Sequence, residues 1–278
     1  FTTAPTPTQT PPPSPTPIPV VRFAVIGDYG EAGPGLESVA RLIDSWDVDL
    51  ILTTGDNNYP VGSPETIDAN IGQYFHEYIN PYTGEFGEGA EANRFFPTLG
   101  NHDWLWDRAQ PYLNYFELPG NERYYSFSWE FIDFFALDSD WAEPDGIGLT
   151  SPQAEWLQAG LAASEAPWQV VYFHHAPYSS GLNGSTAHMR WPFEEWGADV
   201  VFSGHDHHYE RLRVGGLWYF VVGLGGGPRY AIYEILPESE VRYRAQHGAL
   251  LVEATPTEMR FWFYNIEGEL VDEVVTTK

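Results

Sequence analysis

The sequence predicts an α/β fold, a four-layer αββα sandwich in which two mixed β-sheets pack face to face and helices cover the outer faces. Three observations support this fold. The N-terminal part alternates apolar, β-branched runs with an amphipathic run, as a βαβ unit does. Two later apolar runs, residues 170–173 and 200–203, have the continuous pattern of buried strands. Three short strand-like runs then follow near the C terminus.

The N-terminal elements have clear local signals. Residues 22–26 and 50–54 are rich in apolar and β-branched side chains, which is typical of buried strands. Residues 35–46 between them carry apolar side chains near helical spacing, namely Leu36, Val39, Leu42, Ile43 and Trp46. The segment therefore predicts a strand, a crossover helix and a second, parallel strand.

The later elements are justified in the same way. A helix over residues 151–163 is predicted by Ser151, a capping residue, followed by proline at the first helical position and Glu155 in the first turn. The C-terminal strands are residues 249–253, 259–264 and 270–275. A Glu267-Gly268 turn separates the last two of them.

Residues 1–20 differ in composition from the rest of the chain. They are mostly Pro and Thr, a composition that favours extended conformation and cannot bury a core. We therefore predict a disordered linker over residues 1–20 and one catalytic domain over residues 21–278. Such a segment is typical of a spacer behind an export or anchor signal, and its alternative is a plain disordered terminus. The spacer interpretation predicts a mature form that is secreted, periplasmic or displayed at the cell surface.

Charge and composition exclude several classes of function. The chain has 39 Asp and Glu residues against 13 Lys and Arg residues, a formal charge of −26, so no basic face for nucleic acid is expected. No apolar run approaches the roughly 18 residues of a membrane-spanning helix. Cysteine is absent, so any metal must be held by oxygen and imidazole ligands. A phosphate substrate would then need positive charge from metal ions.

Five short segments combine metal-ligand side chains with glycine or proline, and four of them follow predicted strands. The carboxyl ends of parallel strands meet at one edge of a sheet, so these distant residues are expected to gather there. The segments are Gly27-Asp28-Tyr29-Gly30, Gly55-Asp56-Asn57-Asn58-Tyr59, Gly100-Asn101-His102-Asp103, His174-His175-Ala176-Pro177 and Gly204-His205-Asp206-His207. Together they predict a hydrolytic site with two metal ions.

The first two segments supply carboxylates. A single Gly-Asp pair is common, but Asp28 and Asp56 occupy the same position after neighbouring strands, which indicates a shared centre. Tyr59 can bring a phenolate oxygen to the same place. A carboxylate between two cations can bridge them, and two metals about 3.5–4 Å apart stabilise both the entering and the departing oxygen of a phosphoryl displacement.

The other segments supply neutral ligands. Asn101 beside His102 suggests that the amide oxygen binds a metal while the imidazole faces the substrate, and the alternative is a turn with a capping Asn. His174 and the following histidine end a strand, and because a strand alternates faces, only one of them is expected to point at the metals. His205 and His207, which are separated by one residue, can serve two adjacent metals.

The order and spacing of these motifs resemble those of the calcineurin-like metallophosphoesterases. The form with Tyr59 resembles the purple acid phosphatases, in their short single-domain version, and the likeness runs from Asp28 to Arg211. The resemblance implies that Asp28, Tyr59 and His207 bind a first metal, that Asn101, His174 and His205 bind a second, and that Asp56 bridges them. His174 stands three residues after Val171, as the family's ligand does, whereas counting back from Pro177 would favour His175.

The resemblance also implies a chemistry. It implies Fe(III) at the Tyr59 site, since a phenolate favours a hard trivalent ion, and divalent Fe, Zn or Mn at the other site. A metal-bound hydroxide would attack phosphorus, and His102 would assist the leaving oxygen. Many relatives have one more active-site histidine, and here His188 or Asn183 is the candidate for that substrate-binding role. The expected partner is a small phosphorylated substrate.

Several functions remain open at the level of sequence. A phosphomonoesterase is favoured, and a phosphodiesterase or a nucleotide hydrolase would use the same site. A different alternative is a non-catalytic, metal-stabilised binding module that grips its ligand with aromatic residues such as Trp104 and Trp106. The presence of His102 beside Asn101 favours an enzyme, because a binding module has no chemical need for it. The oligomeric state is left open.

Overall fold

Two β-sheets form the centre of the protein, which is represented by a computed structural model that describes residues 18–278. The strands within this range are β1 (Val21–Ile26), β2 (Leu50–Thr53), β3 (Phe95–Pro97), β4 (Tyr125–Trp129), β5 (Ile132–Ala136), β6 (Trp168–His175), β7 (Val200–Gly204), β8 (Tyr209–Val214), β9 (Leu217–Val222), β10 (Ser239–Tyr243), β11 (Gly248–Ala254), β12 (Glu258–Asn265) and β13 (Leu270–Thr277).

Helices connect and cover these strands. They are α1 (Pro34–Asp44), α2 (Ile67–Asn70), α3 (Gly72–Phe75), α4 (Asn101–Trp104), α5 (Gln110–Tyr115), α6 (Pro152–Ala163) and α7 (Phe193–Trp196). Within residues 18–278, no helix is both long and apolar enough to cross a bilayer.

Both sheets are mixed. The first has six strands in the order β13-β12-β11-β1-β2-β3, in which β1, β2 and β3 are parallel and the C-terminal strands are antiparallel. The second has seven strands in the order β10-β8-β9-β7-β6-β5-β4, with β5, β6, β7 and β9 parallel. The parallel strands of each sheet carry the loops that form the site described below.

A continuous apolar core lies between the two sheets. Phe23 of β1 meets Phe134 of β5 edge to face, with ring centroids 5.4 Å apart, and Phe202 of β7 contacts Phe261 of β12 at 6.2 Å. Aromatic pairs of this kind stabilise a core beyond the burial of their area. The packing fixes the two sheets against each other and therefore fixes the distance between the strand ends of one sheet and those of the other.

A second core lies between the seven-stranded sheet and the helices α6 and α7. Alternate residues of β6 belong to different cores: Val170 and Tyr172 face the other sheet, whereas Val171 and Phe173 face the helices. The ring of Phe173 lies 5.6 Å from that of Phe193 in α7. Burial on both faces explains why β6 is a continuous apolar run rather than an alternating one.

The predicted two-sheet sandwich with outer helices is confirmed. The cap of α6 is also as predicted, because the Ser151 hydroxyl accepts a hydrogen bond of 3.2 Å from the N–H of Ala154. Helix α1 ends at Asp44, two residues earlier than the apolar spacing predicts. Trp46 lies beyond the helix and packs instead on Tyr264 of β12, which explains its apolar character. Most of the predicted Pro/Thr linker, residues 1–17, lies outside the described residues.

Candidate metal centre

The five motifs meet at the carboxyl ends of the parallel strands. Asp28 follows β1, Asp56 follows β2, and Asn101 begins α4 just after β3. His174 lies at the end of β6, and His205 directly follows β7. The two sheets therefore deliver these side chains from opposite sides to one place.

The backbone at this place is strained. Asp28, Asp56 and His205 all have positive φ, at 56°, 55° and 70°. Such conformations are uncommon for residues other than glycine, and they tend to cluster at functional sites. The N–H of His205 donates to the Asp28 carboxylate at 2.9 Å, so the strained loops of the two sheets hold each other. Gly55 has φ +92°, and a Cβ there would lie 2.7 Å from Nδ1 of His174, so only glycine fits.

A first cluster contains Asp28, Asp56, Tyr59 and His207. The Tyr59 hydroxyl lies 3.0 Å from Oδ2 of Asp56 and 3.1 Å from Nε2 of His207. The same His207 nitrogen lies 3.2 Å from Oδ1 of Asp28. One ligand atom from each of the two carboxylates and His207 falls within a 4.8 Å range. Four oxygen and nitrogen donors thus surround one point.

A second cluster also contacts Asp56. Nε2 of His174 is 3.5 Å from Oδ2 of Asp56, 3.1 Å from Oδ1 of Asn101 and 3.2 Å from Nδ1 of His205. The Asp56 carboxylate is therefore within reach of both clusters. The structure brings together all seven side chains that the sequence predicts as ligands.

Both histidines at the end of β6 lie near the second cluster, but only one faces Asp56. His174 is fully buried and points at Asp56 and Asn101, as the predicted assignment requires. Nδ1 of His175 instead forms a hydrogen bond of 2.9 Å with the Ser139 hydroxyl. The His175 ring lies beside that of His205, with centroids 4.5 Å apart. This geometry favours His174 over His175 as the ligand that shares a metal with Asp56.

The buried carboxylates of the centre favour bound cations. Asp28 and Asp56 are 0% and 2% exposed, and within residues 18–278 their ion-pair contacts are with histidines, not with Lys or Arg. Buried carboxylates without a counter-charge are costly. Burial, followed by the charges of Asp56 and Asp28, raises the pKa of Tyr59 well above its usual range. A phenolate here therefore needs a bound cation.

The histidines are held in the tautomer that a metal requires. Nδ1 of His174 lies 2.7 Å from the Thr54 carbonyl, and Nδ1 of His207 bonds to the Pro228 carbonyl. Since a carbonyl only accepts, each Nδ1 carries a proton, which leaves Nε2 as the nitrogen available to a metal. Burial lowers the pKa of His174 to about 3, which keeps the ring neutral and able to bind. The donor set thus fits metal ions.

A cavity of about 410 Å³ opens beside the first cluster. Tyr59, His102, His207 and Tyr230 are among the residues that line it. Nδ1 of His102 bonds to the Pro60 carbonyl at 2.6 Å, and its Nε2 lies 4.0 Å from Oδ2 of Asp56. The His102 side chain is 33% exposed. His102 is thus placed beside the centre and at the cavity, where it can contact a bound molecule.

Comparison with known proteins agrees with this geometry. The family model described as calcineurin-like phosphoesterase matches residues 21–209. The chain belongs to the calcineurin-like phosphoesterase family. It is accordingly a phosphoesterase with a metal site, of the purple acid phosphatase-like type that the motifs predicted.

Individual relatives match most of the length of this chain. Purple acid phosphatase 17 of Arabidopsis thaliana is 25% identical over 93% of this chain and 85% of its own length. Tartrate-resistant acid phosphatase type 5 of Mus musculus is 23% identical over 90% of this chain and 88% of its own.

Solved structures share the fold. Purple acid phosphatase PPD1 from yellow lupin seeds superimposes with a TM-score of 0.77 at 19% identity, over 95% of this chain. The phosphoesterase spans only 55% of that lupin chain. GAP50, described as the anchor in the inner membrane complex of Plasmodium, superimposes with a TM-score of 0.67 at 19% identity.

The two candidates for a further substrate-binding residue lie on one side of the second cluster. Asn183 is exposed, and its side-chain N–H donates to the His205 carbonyl at 2.9 Å. His188 is partly buried, and its ring lies 4.3 Å from that of Trp141. Asn183 thus holds the backbone of a proposed ligand, and His188 forms part of a neighbouring aromatic wall.

Some residues that shape the centre of the phosphoesterase have no sequence signal. The Tyr230 ring stacks on His207 at 3.9 Å with an angle of 5° between the planes. The carbonyls that orient His102, His174 and His207 come from Pro60, Thr54 and Pro228, and every residue type offers such a carbonyl. The glycines before Pro228 are the nearest signal, since they allow the segment to approach β1 closely enough for the Gly227 N–H to donate to the Asp28 carbonyl at 2.9 Å.

Proposed function

We propose that this phosphoesterase is a phosphomonoesterase of the acid phosphatase type that works with two metal ions. The first ion would be held by Asp28, Tyr59 and His207, and the second by Asn101, His174 and His205, with Asp56 between them. The observation that carries this proposal is the position of Asp56, whose Oδ2 lies 3.0 Å from the Tyr59 hydroxyl and 3.5 Å from Nε2 of His174.

The residues of the chain divide the work of hydrolysis. Bound metal ions would supply an activated water and neutralise the charge on the phosphoryl oxygens. The Pro60 carbonyl accepts from Nδ1–H of His102, which leaves Nε2 free on a residue that lines the cavity. A proton on that nitrogen can pass to the leaving oxygen as its bond to phosphorus breaks. The partial exposure of His102 allows it to regain the proton from solvent.

The donor sets suggest different metals at the two positions. Tyr59 offers a phenolate beside two carboxylates, a hard anionic set that suits Fe(III). The second cluster offers two imidazoles, an amide oxygen and the shared carboxylate, which suits a divalent ion of Fe, Zn or Mn.

A phosphodiesterase or nucleotide hydrolase remains the nearest alternative, because the same centre serves all three substrates. The binding-module alternative is weaker. Trp104, one of the aromatic residues it relied on, is buried and donates from its indole N–H to Asp138 at 2.9 Å. The shared fold does not distinguish an enzyme from a binding module, since GAP50, which has this fold, is described as an anchor. The orientation of His102 toward the cavity favours the enzyme.

The remaining parts of the proposal concern the whole protein. We place the catalytic unit at residues 21–278, with residues 1–20 as a spacer that carries it outside the cytoplasm or at the cell surface. Two plant relatives each match 93% of this chain and 84–85% of their own length. The substrate is a small phosphorylated molecule, and the net charge of −26 makes nucleic acid an unfavourable partner.

We expect freshly purified protein to show a visible charge-transfer band from the Tyr59 phenolate to iron, and we expect Tyr59→Phe to remove it. The measurement is the absorption spectrum together with iron content. Tyr230→Phe is the matched control, because Tyr230 stacks on His207 but is not a proposed ligand, and its band should remain. A band that persists unchanged in Tyr59→Phe would contradict the ligand assignment. Colourless protein that still hydrolyses an aryl phosphate would discard the iron assignment alone.

A further inference from the structure

A second cavity lies next to the metal centre and is unusually basic for this chain. It has a volume of about 510 Å³, and Arg229, Arg242 and Arg244 line it together with Ile232, Tyr243 and Ala245. We call it the arginine cleft. Three of the 13 Lys and Arg residues of a chain with 39 Asp and Glu residues thus face one space.

The three arginines lack acidic partners. Within residues 18–278, six of the 13 Lys and Arg side chains have a carboxylate within 4.0 Å, and these three are among the seven that have none. Glu240, the acidic residue of β10, pairs with Arg211 of the neighbouring strand instead. In so acidic a protein, like charges grouped without carboxylates indicate a place for an anion from outside the chain.

The arginines also keep donors free. Arg242 uses one nitrogen for the Ser239 carbonyl and hydroxyl, at 3.0 and 2.7 Å, and Arg229 uses one for the Ala245 carbonyl. Arg244 is exposed and makes no hydrogen bond within the described chain. A guanidinium has five N–H donors in a planar fork that matches two phosphate oxygens. Burial, followed by the charges of Arg229 and His207, lowers the pKa of His247.

One segment, residues 228–230, separates the cleft from the metal centre. The Pro228 carbonyl accepts from His207, and the Tyr230 ring stacks on that same His207 and lines the cavity of the centre. Arg229, between them, lines the arginine cleft. Because consecutive Cα atoms are about 3.8 Å apart, the two cavities share this segment as a wall.

We propose that the arginine cleft binds a phosphate group of the substrate other than the one that is cleaved, so that the preferred substrates carry two or more phosphoryl groups. This inference rests on the proposed function. Water would attack the terminal phosphorus in the metal centre, and the P–O bond to the rest of the substrate would break. The leaving oxygen would take a proton, and the products would be inorganic phosphate and a substrate shortened by one phosphoryl group.

The first test compares kcat/KM for inorganic tripolyphosphate, ATP and 4-nitrophenyl phosphate in the metal-loaded protein. In Arg242→Gln/Arg244→Gln, we expect the ratio of kcat/KM for tripolyphosphate to that for the aryl phosphate to fall about tenfold or more, mainly through KM. If the cleft recognises phosphate groups alone, the ratio for ATP should fall as much as the ratio for tripolyphosphate. If the ratio falls for only one of these two compounds, that compound is the source of the bound phosphate group. Unchanged ratios for both would overturn the proposal.

Two further variants guard against indirect effects. Arg41→Gln/Arg260→Gln makes the same change in net charge at exposed arginines that already have acidic partners, and its ratios should equal those of the wild type. Arg244→Gln alone removes no hydrogen bond of the fold, so its melting temperature should be unchanged while its ratio falls. A fall of equal size in the control pair would show a general charge effect and would overturn the cleft.

A binding measurement separates this inference from the proposed function. The probe is the non-hydrolysable bis(methylene) analogue of tripolyphosphate, titrated calorimetrically into the metal-loaded protein. We expect Arg242→Gln/Arg244→Gln to weaken its binding about tenfold. Weakened binding without any turnover in the wild type would reject the phosphatase and keep the cleft as an anion site. Aryl phosphate turnover with unweakened binding would keep the phosphatase and reject the cleft.

Discussion

Replacing Asp56 by Asn is expected to abolish hydrolysis, with kcat reduced by about a thousandfold or more. Oδ1 of Asp56 accepts from the N–H of His102 at 2.9 Å, and an amide oxygen can keep that bond. Oδ2 faces Tyr59 and His174, and there the variant would present an N–H₂ group in place of an anionic ligand. The fold should persist while both proposed metal positions lose their proposed shared ligand.

The Asp56→Asn variant is best judged by metal content and rate together. We expect fewer than two metal ions per chain and no measurable turnover of an aryl phosphate. Asp107→Asn is the matched control, since Asp107 is exposed and has a positive φ of 42° that Asn also tolerates. The control should keep wild-type metal content and rate. An Asp56→Asn protein with two tightly bound metals and normal turnover would show that Asp56 does not bridge.

Replacing His102 by Ala is expected to lower kcat by about 10²–10⁴-fold while the metals stay bound. None of the close contacts among the seven proposed ligands involves the His102 ring, whose Nε2 is 4.0 Å from Asp56. Its ring packs edge to face on Tyr59, with centroids 4.7 Å apart, so the loss of the ring removes a neighbour of Tyr59 but not a ligand. The effect should therefore fall on protonation of the leaving oxygen.

The leaving group provides the sharper measurement for His102. An alkyl phosphate, whose alcohol is a poor leaving group, needs the proton more than 4-nitrophenyl phosphate does. We expect the loss of kcat in His102→Ala to be larger for the alkyl ester. His76→Ala is the control, because His76 likewise bonds to a backbone carbonyl, that of Gly72, but is not among the residues of the centre. Equal losses for both esters would argue against an acid role.

Much of the fold could be predicted from local signals. Strands β1, β2, β6 and β7 are continuous apolar runs because both of their faces are buried, and glycine or histidine ends each run at the edge of its sheet. The predicted ligands could be found for the same reason, since parallel strands bring their carboxyl ends together. The predicted end of α1 is two residues too late because Trp46 is counted in the helix. Apolar spacing indicates that a residue is buried, but it does not show whether that residue belongs to the helix.

What the sequence could not predict depends on packing between distant segments. The Thr54, Pro60 and Pro228 carbonyls orient three histidines, yet a carbonyl belongs to every residue and leaves no pattern. The choice between His174 and His175 depended on which ring faces Asp56. The arginine cleft likewise has no sequence motif. It is recognised only when the structure shows three arginines around one cavity without carboxylate partners.

The most direct test of the two-metal account is a titration of metal-stripped protein with metal ions, with hydrolysis of an aryl phosphate measured at each point. The rate should rise to its maximum at two bound metal ions per chain, with little activity at one, because Asp56 is proposed to serve two clusters that would each hold an ion. Full activity at one ion per chain, or two tightly bound ions without turnover, would contradict the account.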